Sequence, residues 1–91
     1  MIPNRRPTPV GEILTEEFLV PLGLTQTDLA KAMGVQARLV NELCRGSRAV
    51  TTDTALMLSR VFGTSAEFWV NAQQAIDLWE APTDQPGHSA A

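Results

Sequence analysis

The 91-residue sequence has one cysteine, Cys44, so it cannot form an internal disulfide bond. Small secreted domains usually depend on several disulfides, and this sequence is therefore not expected to be such a scaffold. It has no tyrosine, and aromatic residues make up only 5% of the chain. Because strands are enriched in aromatic and β-branched residues, this composition disfavours an all-β fold.

Long apolar runs are also missing. No run approaches the roughly 20 apolar residues that a membrane-spanning helix needs. The first ten residues, MIPNRRPTPV, contain two arginines with no apolar segment behind them, so they do not have the pattern of a signal peptide. We therefore expect a cytoplasmic protein with no membrane partner. With 44% hydrophobic residues, the chain has the composition of one small domain with a single core.

The residue sets that are typical of enzymes and metal sites are absent. The one histidine, His88, lies close to the carboxy terminus, and neither it nor Cys44 has a second metal ligand at a usable spacing. The sequence contains no nucleophile–base set and no glycine-rich phosphate-binding loop. We therefore expect no catalysis, no bound metal and no cofactor.

The charges are unevenly distributed along the chain. The net charge of −3 would by itself argue against a nucleic-acid partner. However, residues 31–60 carry five basic and two acidic residues, whereas residues 61–91 carry four acidic residues and no lysine or arginine. The field at a binding surface depends on local charges rather than on the total. The middle third of the chain is therefore the candidate for binding DNA.

Hydrophobic periodicity predicts an all-α fold with five helices. Most of the predicted helices begin at a capping residue, and most end at a glycine or proline. The predicted boundaries are Thr8–Pro9 and the VPLG segment, Thr25 and Gly34, Gln36 and Gly46, Thr51 or Thr52 and Gly63, and the TSAEFWVNAQQAIDLWE segment capped by Thr64 or Ser65. The fifth predicted helix places these residues along one side: Phe68, Ala72, Ala75, Ile76 and Trp79.

A single domain is predicted over residues 8–79. Residues 1–7 are expected to form a flexible amino-terminal arm. Residues 80–91 contain two prolines, a glycine and no periodicity, and they are expected to form a disordered tail.

The segment TQTDLAKAMGVQARLVNELCRG, residues 25–46, places two helices almost directly after one another. Helices joined by three or four residues cross steeply, at roughly 90–120° in a helix-turn-helix unit. Ala30 permits close approach of the second helix, and Gly34 supplies the turn. Val40 and Leu43 are expected to hold the second helix to the core. Its amino-terminal end is then free to enter the major groove of DNA.

Four residues of this second helix are candidates for contacts with bases. Arg38 can donate two hydrogen bonds to guanine, and Asn41 can pair with adenine in the same bidentate manner. Ala37 can contact a thymine methyl group, while Gln36 suits either a base or a phosphate. Glu42 has two open interpretations: it accepts a hydrogen bond from cytosine, or it pairs with Arg38 or Arg45 and contacts no DNA.

Other residues are candidates for contacts with phosphates. Thr25 and Gln26 lie at the amino end of a helix, where free N–H groups favour anions. Arg45 and Arg48, with Lys31 as a further candidate, flank the second helix and can neutralise backbone charge.

A less specific interpretation stays open for each of these features. Two amphipathic helices around a glycine occur in many helical bundles, and single exposed arginines often only contact water. Trp69 and Trp79 are expected in the core or in a subunit interface.

Three segments together resemble the HigA-type antitoxins, a branch of the Xre/Cro-like helix-turn-helix repressors: GEILTEEFLVPLGLTQTDLAKAMGV, GSRAVTTDTALMLSRVFGTSAEFW and NAQQAIDLW. The resemblance covers about residues 10–79 and implies a five-helix, lambda-repressor-like DNA-binding bundle. It also implies that recognition residues lie at Gln36, Ala37, Arg38 and Asn41. Ala37 and Leu39 depart from a pattern that is often polar there, which implies fewer direct base contacts.

The resemblance further implies two activities and an assembly. Proteins of this family bind and silence a HigB-type RNA-cleaving toxin, and they repress their own operon by binding its operator as dimers. Dimerisation through the carboxy-terminal helix implies an interface that includes Phe68, Trp69, Ile76 and Trp79.

The leading hypothesis is therefore a dimeric repressor that also serves as an antitoxin. One alternative is a module that masks a basic toxin and binds little DNA, which the acidic outer thirds of the chain favour. The other is a stand-alone Xre-type repressor without a toxin.

Overall fold

The computed structural model describes residues 6–81, which form five helices and contain no strand. The first helix, α1, consists of an α-helical turn at Val10–Ile13, a π-helical segment at Leu14–Leu19 and a last α-helical turn at Val20–Leu22. The other four helices are α2 at Gln26–Met33, α3 at Ala37–Arg45, α4 at Thr52–Phe62 and α5 at Ala66–Glu80. The prediction of an all-α fold with five helices is confirmed.

The first helix differs from its predicted form at its start and at Pro21. Pro9, rather than Thr8, is its N-cap, and no side chain caps this end. The helix ends within the predicted VPLG segment, but it continues through Pro21 and ends at a left-handed Gly23. A proline inside an α-helix clashes with the carbonyl group four residues earlier, here that of Glu17. The wider π-helical turn lies over that carbonyl and, we infer, relieves the clash.

The predicted start of α2 at Thr25 is confirmed, and a capping box forms there. The Thr25 hydroxyl accepts a hydrogen bond from the Asp28 N–H at 3.0 Å, and the Asp28 carboxylate accepts one from the Thr25 N–H at 2.9 Å. These hydrogen bonds lower the pKa of the Asp28 carboxyl group. The cap is therefore complete at neutral pH, and it is lost only as the pH falls through that lowered pKa.

The choices left open for the last two caps are now settled. Thr51 caps α4, since its hydroxyl accepts from the Thr54 N–H, and Ser65 caps α5, since its hydroxyl accepts from the Phe68 N–H. The fifth helix includes Glu80, one residue beyond the predicted domain boundary at Trp79. The predicted arm and tail fall largely on residues 1–5 and 82–91, which lie outside the described residues.

All five helices contribute to one hydrophobic core. The first helix packs on α3 and α5, the second on α3 and α4, and the fourth on α5. The clustered core residues are Val10, Leu14, Leu19, Leu29, Ala30, Val40, Leu43, Val50, Ala55, Leu58 and Trp69.

Trp69 is the centre of an aromatic cluster between α1, α4 and α5. Its ring centroid lies 5.0 Å from that of Phe18 and 4.9 Å from that of Phe68. The indole is fully buried, and its N–H donates a 2.7 Å hydrogen bond to the Thr64 hydroxyl. Trp69 therefore belongs to the core of the domain, with its polar group satisfied.

The first helix crosses the end of α3 at Gly11, where the two backbones are in close contact. A Cβ atom on Gly11 would lie 2.4 Å from the Cys44 carbonyl oxygen and 2.5 Å from the Leu43 carbonyl oxygen. Both atoms belong to the helix backbone and cannot rotate away as a side chain would. The position of α3 on the core therefore depends on glycine at residue 11.

We predict that Gly11→Ala lowers the free energy of unfolding by about 1–3 kcal/mol, the usual cost of forcing an extra methyl group into a packed site. Glycine-to-alanine changes in open helix positions usually stabilise by a few tenths to about 1 kcal/mol, so the opposite sign is diagnostic. Urea denaturation measures the change. The control is Glu12→Ala, an exposed position in the same turn, which should change stability little. A Gly11→Ala protein as stable as the wild type would contradict the close contact.

Candidate nucleic-acid interface

The turn between α2 and α3 has the geometry of a helix-turn-helix unit. Gly34 ends α2 with φ of +75°, a left-handed conformation that glycine adopts without steric cost. The Val35 N–H donates to the Ala30 carbonyl at 3.0 Å and closes the turn. Ala30 is buried at this junction, as predicted. Only three residues therefore separate the end of α2 from the start of α3, the second helix of the unit.

One face of α3 is buried and its amino-terminal end is exposed. Val40 is fully buried and Leu43 is 2% exposed, so this side is fixed to the core as predicted. Gln36, Ala37 and Arg38 are exposed at the opposite end of the helix, and the Arg38 side chain retains 82% of its accessible surface. The first turn of α3 therefore projects from the domain.

Asn41 lies beside these residues in a short chain of hydrogen bonds. Its amide donates to the Gln26 side-chain oxygen at 3.1 Å and accepts from Arg45 at 3.5 Å. An asparagine amide has two donors and two acceptor sites, so one of each remains free. The structure thus brings together two residues predicted to contact bases and phosphates, Asn41 and Gln26, at the junction of α2 and α3.

Glu42 joins two of the predicted arginines. One carboxylate oxygen accepts from Arg38 Nε at 3.2 Å, and the other accepts from Arg48 Nε at 2.8 Å. Of the two open interpretations, the structure therefore favours pairing, but with Arg38 and Arg48 rather than with Arg45. The guanidinium groups of Arg48 and Arg38 lower the pKa of the Glu42 carboxyl group. This carboxylate is accordingly ionised at neutral pH.

The partnership of Glu42 with Arg48 could not be predicted from spacing. Arg38 and Glu42 stand four residues apart on one helix face, a spacing that favours ion pairs. Arg48 lies beyond the end of α3 and returns toward it because Gly46 adopts a left-handed conformation. The resulting shallow depression has a volume of about 380 Å³ and is lined by Gln36, Arg38, Leu39 and Arg48.

The amino end of α2 retains only part of its capacity to bind anions. The capping box occupies the N–H groups of Thr25 and Asp28. The N–H groups of Gln26 and Thr27 have no helical partner at this end. The Thr25 hydroxyl accepts from the backbone, so its own hydrogen is free to be donated.

The outer surface of α5 differs from the one predicted. Trp69 is fully buried and Ile76 is 8% exposed, so neither is available to a dimer interface, which corrects the prediction for both residues. The helix is rotated relative to the predicted face because Trp69 enters the aromatic cluster. The large apolar residues that stay exposed on α5, called here the α5 outer surface, are Phe68, Leu78 and Trp79.

Two further observations concern the described part of the chain alone. Within residues 6–81, no three histidine, cysteine or acidic side chains are arranged to hold a metal ion. None of the helices in that range is long and apolar enough to cross a membrane.

Comparisons with known proteins agree with this geometry. Residues 16–69 match the family described as helix-turn-helix. The antitoxin HigA-1 of Vibrio cholerae is 46% identical over 77 residues, which cover 85% of this chain and 72% of that protein.

Solved structures give the same answer. The antitoxin HigA of Pseudomonas aeruginosa, solved with the higBA promoter, superposes with a TM-score of 0.78 at 42% identity and covers 80% of this chain and 79% of its own. The antitoxin GraA, solved in complex with its operator, superposes with a TM-score of 0.82 at 38% identity. The superposition covers 99% of this chain and 91% of the GraA chain. The chain therefore belongs to the HigA-type antitoxins, a branch of the Xre-like helix-turn-helix family of DNA-binding regulators.

Proposed function

We propose that this protein represses its own operon by binding operator DNA as a homodimer, and that it neutralises a HigB-like RNA-cleaving toxin. The proposal that the protein binds operator DNA rests on the exposed first turn of α3. It presents Arg38, with an 82% exposed side chain, beside Arg48 on a domain whose net charge is otherwise negative. A projecting helix of this kind fits the major groove, which is about 12 Å wide.

Bases are read from the first two turns of α3. Arg38 donates two hydrogen bonds to guanine O6 and N7, and Asn41 uses its free donor and acceptor on adenine. Ala37 contacts a thymine methyl group, and Gln36, the N-cap of α3, contacts a base or a phosphate.

Phosphates are held from both sides of α3. Thr25 donates its hydroxyl hydrogen, and Gln26 offers its backbone N–H at the amino end of α2. Arg45 and Arg48, both exposed, neutralise charge on the other side. Such contacts fix the register of the protein on DNA without reading sequence.

The α5 outer surface is the proposed dimer interface. Phe68, Leu78 and Trp79 are 42%, 72% and 40% exposed, so this one 15-residue helix presents three large apolar side chains to solvent. Because exposed apolar patches mark interaction sites, a second copy of the chain is expected to cover them. A twofold axis would then present two α3 helices to major grooves roughly 34–36 Å apart.

Toxin neutralisation rests on the family rather than on a contact surface. Relatives named as antitoxins support it, and no residue of this chain is assigned to the toxin. A stand-alone repressor is the second candidate, because a relative in Haemophilus influenzae, 46% identical over 77 residues, is described only as an HTH-type transcriptional regulator.

We predict that Arg38→Ala weakens operator binding by about 1–3 kcal/mol and relaxes the preference for one base pair. Arg48→Ala should instead weaken binding to all sequences and reduce the slope of affinity against salt concentration by about one unit. Gel-shift titrations with operator and scrambled duplexes at several salt concentrations separate the two outcomes.

The matched control for both variants is Arg60→Ala, an exposed arginine on α4 outside the helix-turn-helix unit. It should leave both titrations unchanged. Unchanged operator affinity in Arg38→Ala, with a loss in Arg60→Ala, would place the DNA on another face.

We predict that Trp79→Ala dissociates the dimer, raising its dissociation constant roughly 30-fold, because aromatic interface residues commonly contribute 2 kcal/mol or more. Sedimentation equilibrium measures the constant. Leu56→Ala removes a similarly exposed apolar side chain from α4 and should have no effect. Dissociation by Leu56→Ala but not by Trp79→Ala would place the interface on α4 rather than on α5.

We predict that the protein encoded beside this chain stops growth when expressed alone and that co-expression of this chain restores growth through a stable complex. Arg38→Ala should still restore growth, because its defect is confined to DNA binding. A harmless neighbour that does not co-purify would favour the stand-alone repressor.

A further inference from the structure

The Glu42 carboxylate is shared by the two arginines assigned to different tasks on DNA. Arg38 is the proposed base reader, and Arg48 is a proposed phosphate contact. The Glu42 oxygens lie 3.2 Å from Arg38 Nε and 2.8 Å from both Arg48 Nε and Arg48 Nη2. The Ser47 N–H also donates to the Glu42 backbone carbonyl at 3.0 Å and fixes the end of the helix from which Arg48 returns.

The three side chains differ in exposure. The Glu42 side chain retains 22% of its accessible surface, Arg48 retains 48%, and Arg38 retains 82%. The acidic group is thus held near the protein surface, whereas the Arg38 side chain extends beyond it. An ion pair with a well-fixed acid restricts a long side chain more than a pair between two freely moving ones.

We propose that Glu42 is a positioning residue that makes DNA binding depend on sequence, by orienting Arg38 for base readout and by restraining Arg48 in the free protein. This inference rests on the proposed DNA-binding function and deepens it.

The first effect follows from the donors of arginine. A guanidinium group carries five N–H donors, and the bond to Glu42 uses only the one on Nε. The Nη groups of Arg38 make no hydrogen bond within residues 6–81. These two Nη groups are the part of the guanidinium that can donate to guanine O6 and N7 together. A guanidinium held at Nε also loses less conformational freedom when it binds a base.

The second effect follows from charge. Glu42, Arg38 and Arg48 together carry a net charge of +1 at neutral pH, whereas the two arginines alone would carry +2. Non-specific binding depends almost entirely on the release of counterions by basic residues. Glu42 therefore weakens binding to arbitrary DNA while it improves the alignment of the base reader. The charge effect weakens binding to both scrambled and operator duplexes, whereas the alignment of Arg38 strengthens binding to the operator alone.

The test compares Glu42→Gln with the wild type on operator and scrambled duplexes over a series of salt concentrations. We expect the variant to bind the scrambled duplex about tenfold more tightly with a steeper salt dependence, because one negative charge is removed from the interface. We expect the ratio of operator to scrambled affinity to fall about tenfold or more. Glu67→Gln, an exposed glutamate on α5, is the matched control and should change neither quantity.

A double-mutant cycle shows whether Glu42 acts through Arg38. In an Arg38→Ala background, Glu42→Gln should still raise the affinity for the scrambled duplex but should no longer lower the affinity ratio.

A variant that retains the negative charge, Glu42→Asp, separates the two effects. Its shorter carboxylate cannot hold both arginines, so the ratio should fall with little gain in scrambled binding. This variant also replaces Glu42→Gln should the latter fail to fold.

Three outcomes would overturn the proposal. An unchanged affinity ratio in both Glu42 variants would show that Glu42 positions nothing. An equal fall of the ratio with and without Arg38 would show that it acts independently of that arginine. A loss confined to operators with cytosine at one position would make Glu42 a direct base reader. If the wild type itself prefers no duplex, the proposed function fails, which is a different result from any of these three.

Discussion

The burial of Val40 and Leu43 against the core determines which side chains of α3 reach solvent, and the proposed functions depend on that orientation. Two contacts maintain it. The left-handed turn at Gly34 directs α3 away from α2, and the backbone contact at Gly11 seats the other end of α3 on α1. Both are backbone features that side-chain motion cannot compensate. The first turn of α3 is therefore exposed on a rigid support, as recognition of base edges requires.

The proposed DNA-binding surface of this acidic protein is built from few charges. Three arginines, Arg38, Arg45 and Arg48, lie on or next to α3. Arg38 and Arg48 donate hydrogen bonds to Glu42, and Arg45 donates one to Asn41. Under the proposal above, the carboxylate of Glu42 keeps Arg38 and Arg48 in place and limits their attraction to arbitrary DNA. A protein that must find one operator among many competing sites gains more from selectivity than from raw affinity. The fold thus combines a rigid helix with partly neutralised arginines.

Local signals in the sequence predicted the helix-turn-helix unit well. The Thr25–Asp28 capping box and the turn at Gly34 involve residues within a few positions of one another, so sequence contains the information. Non-local packing could not be read in this way. Pro21 indicated a helix end, although a π-helical segment lets the helix continue. The buried face of α5 differs from the predicted one because Trp69 packs against Phe18 and Phe62, which lie on other helices. The link from Glu42 to Arg48 likewise depends on the path of the chain after α3.

The central claim is that the first turn of α3 enters the major groove at two places on one operator. Methylation protection at guanine N7, an atom that faces only the major groove, tests it most directly. The account predicts protected guanines in two groups about one helical turn apart, and it predicts that Arg38→Ala exposes one guanine in each group. Unprotected guanine N7 atoms on a duplex that the protein binds, or protection at a single site, would contradict it.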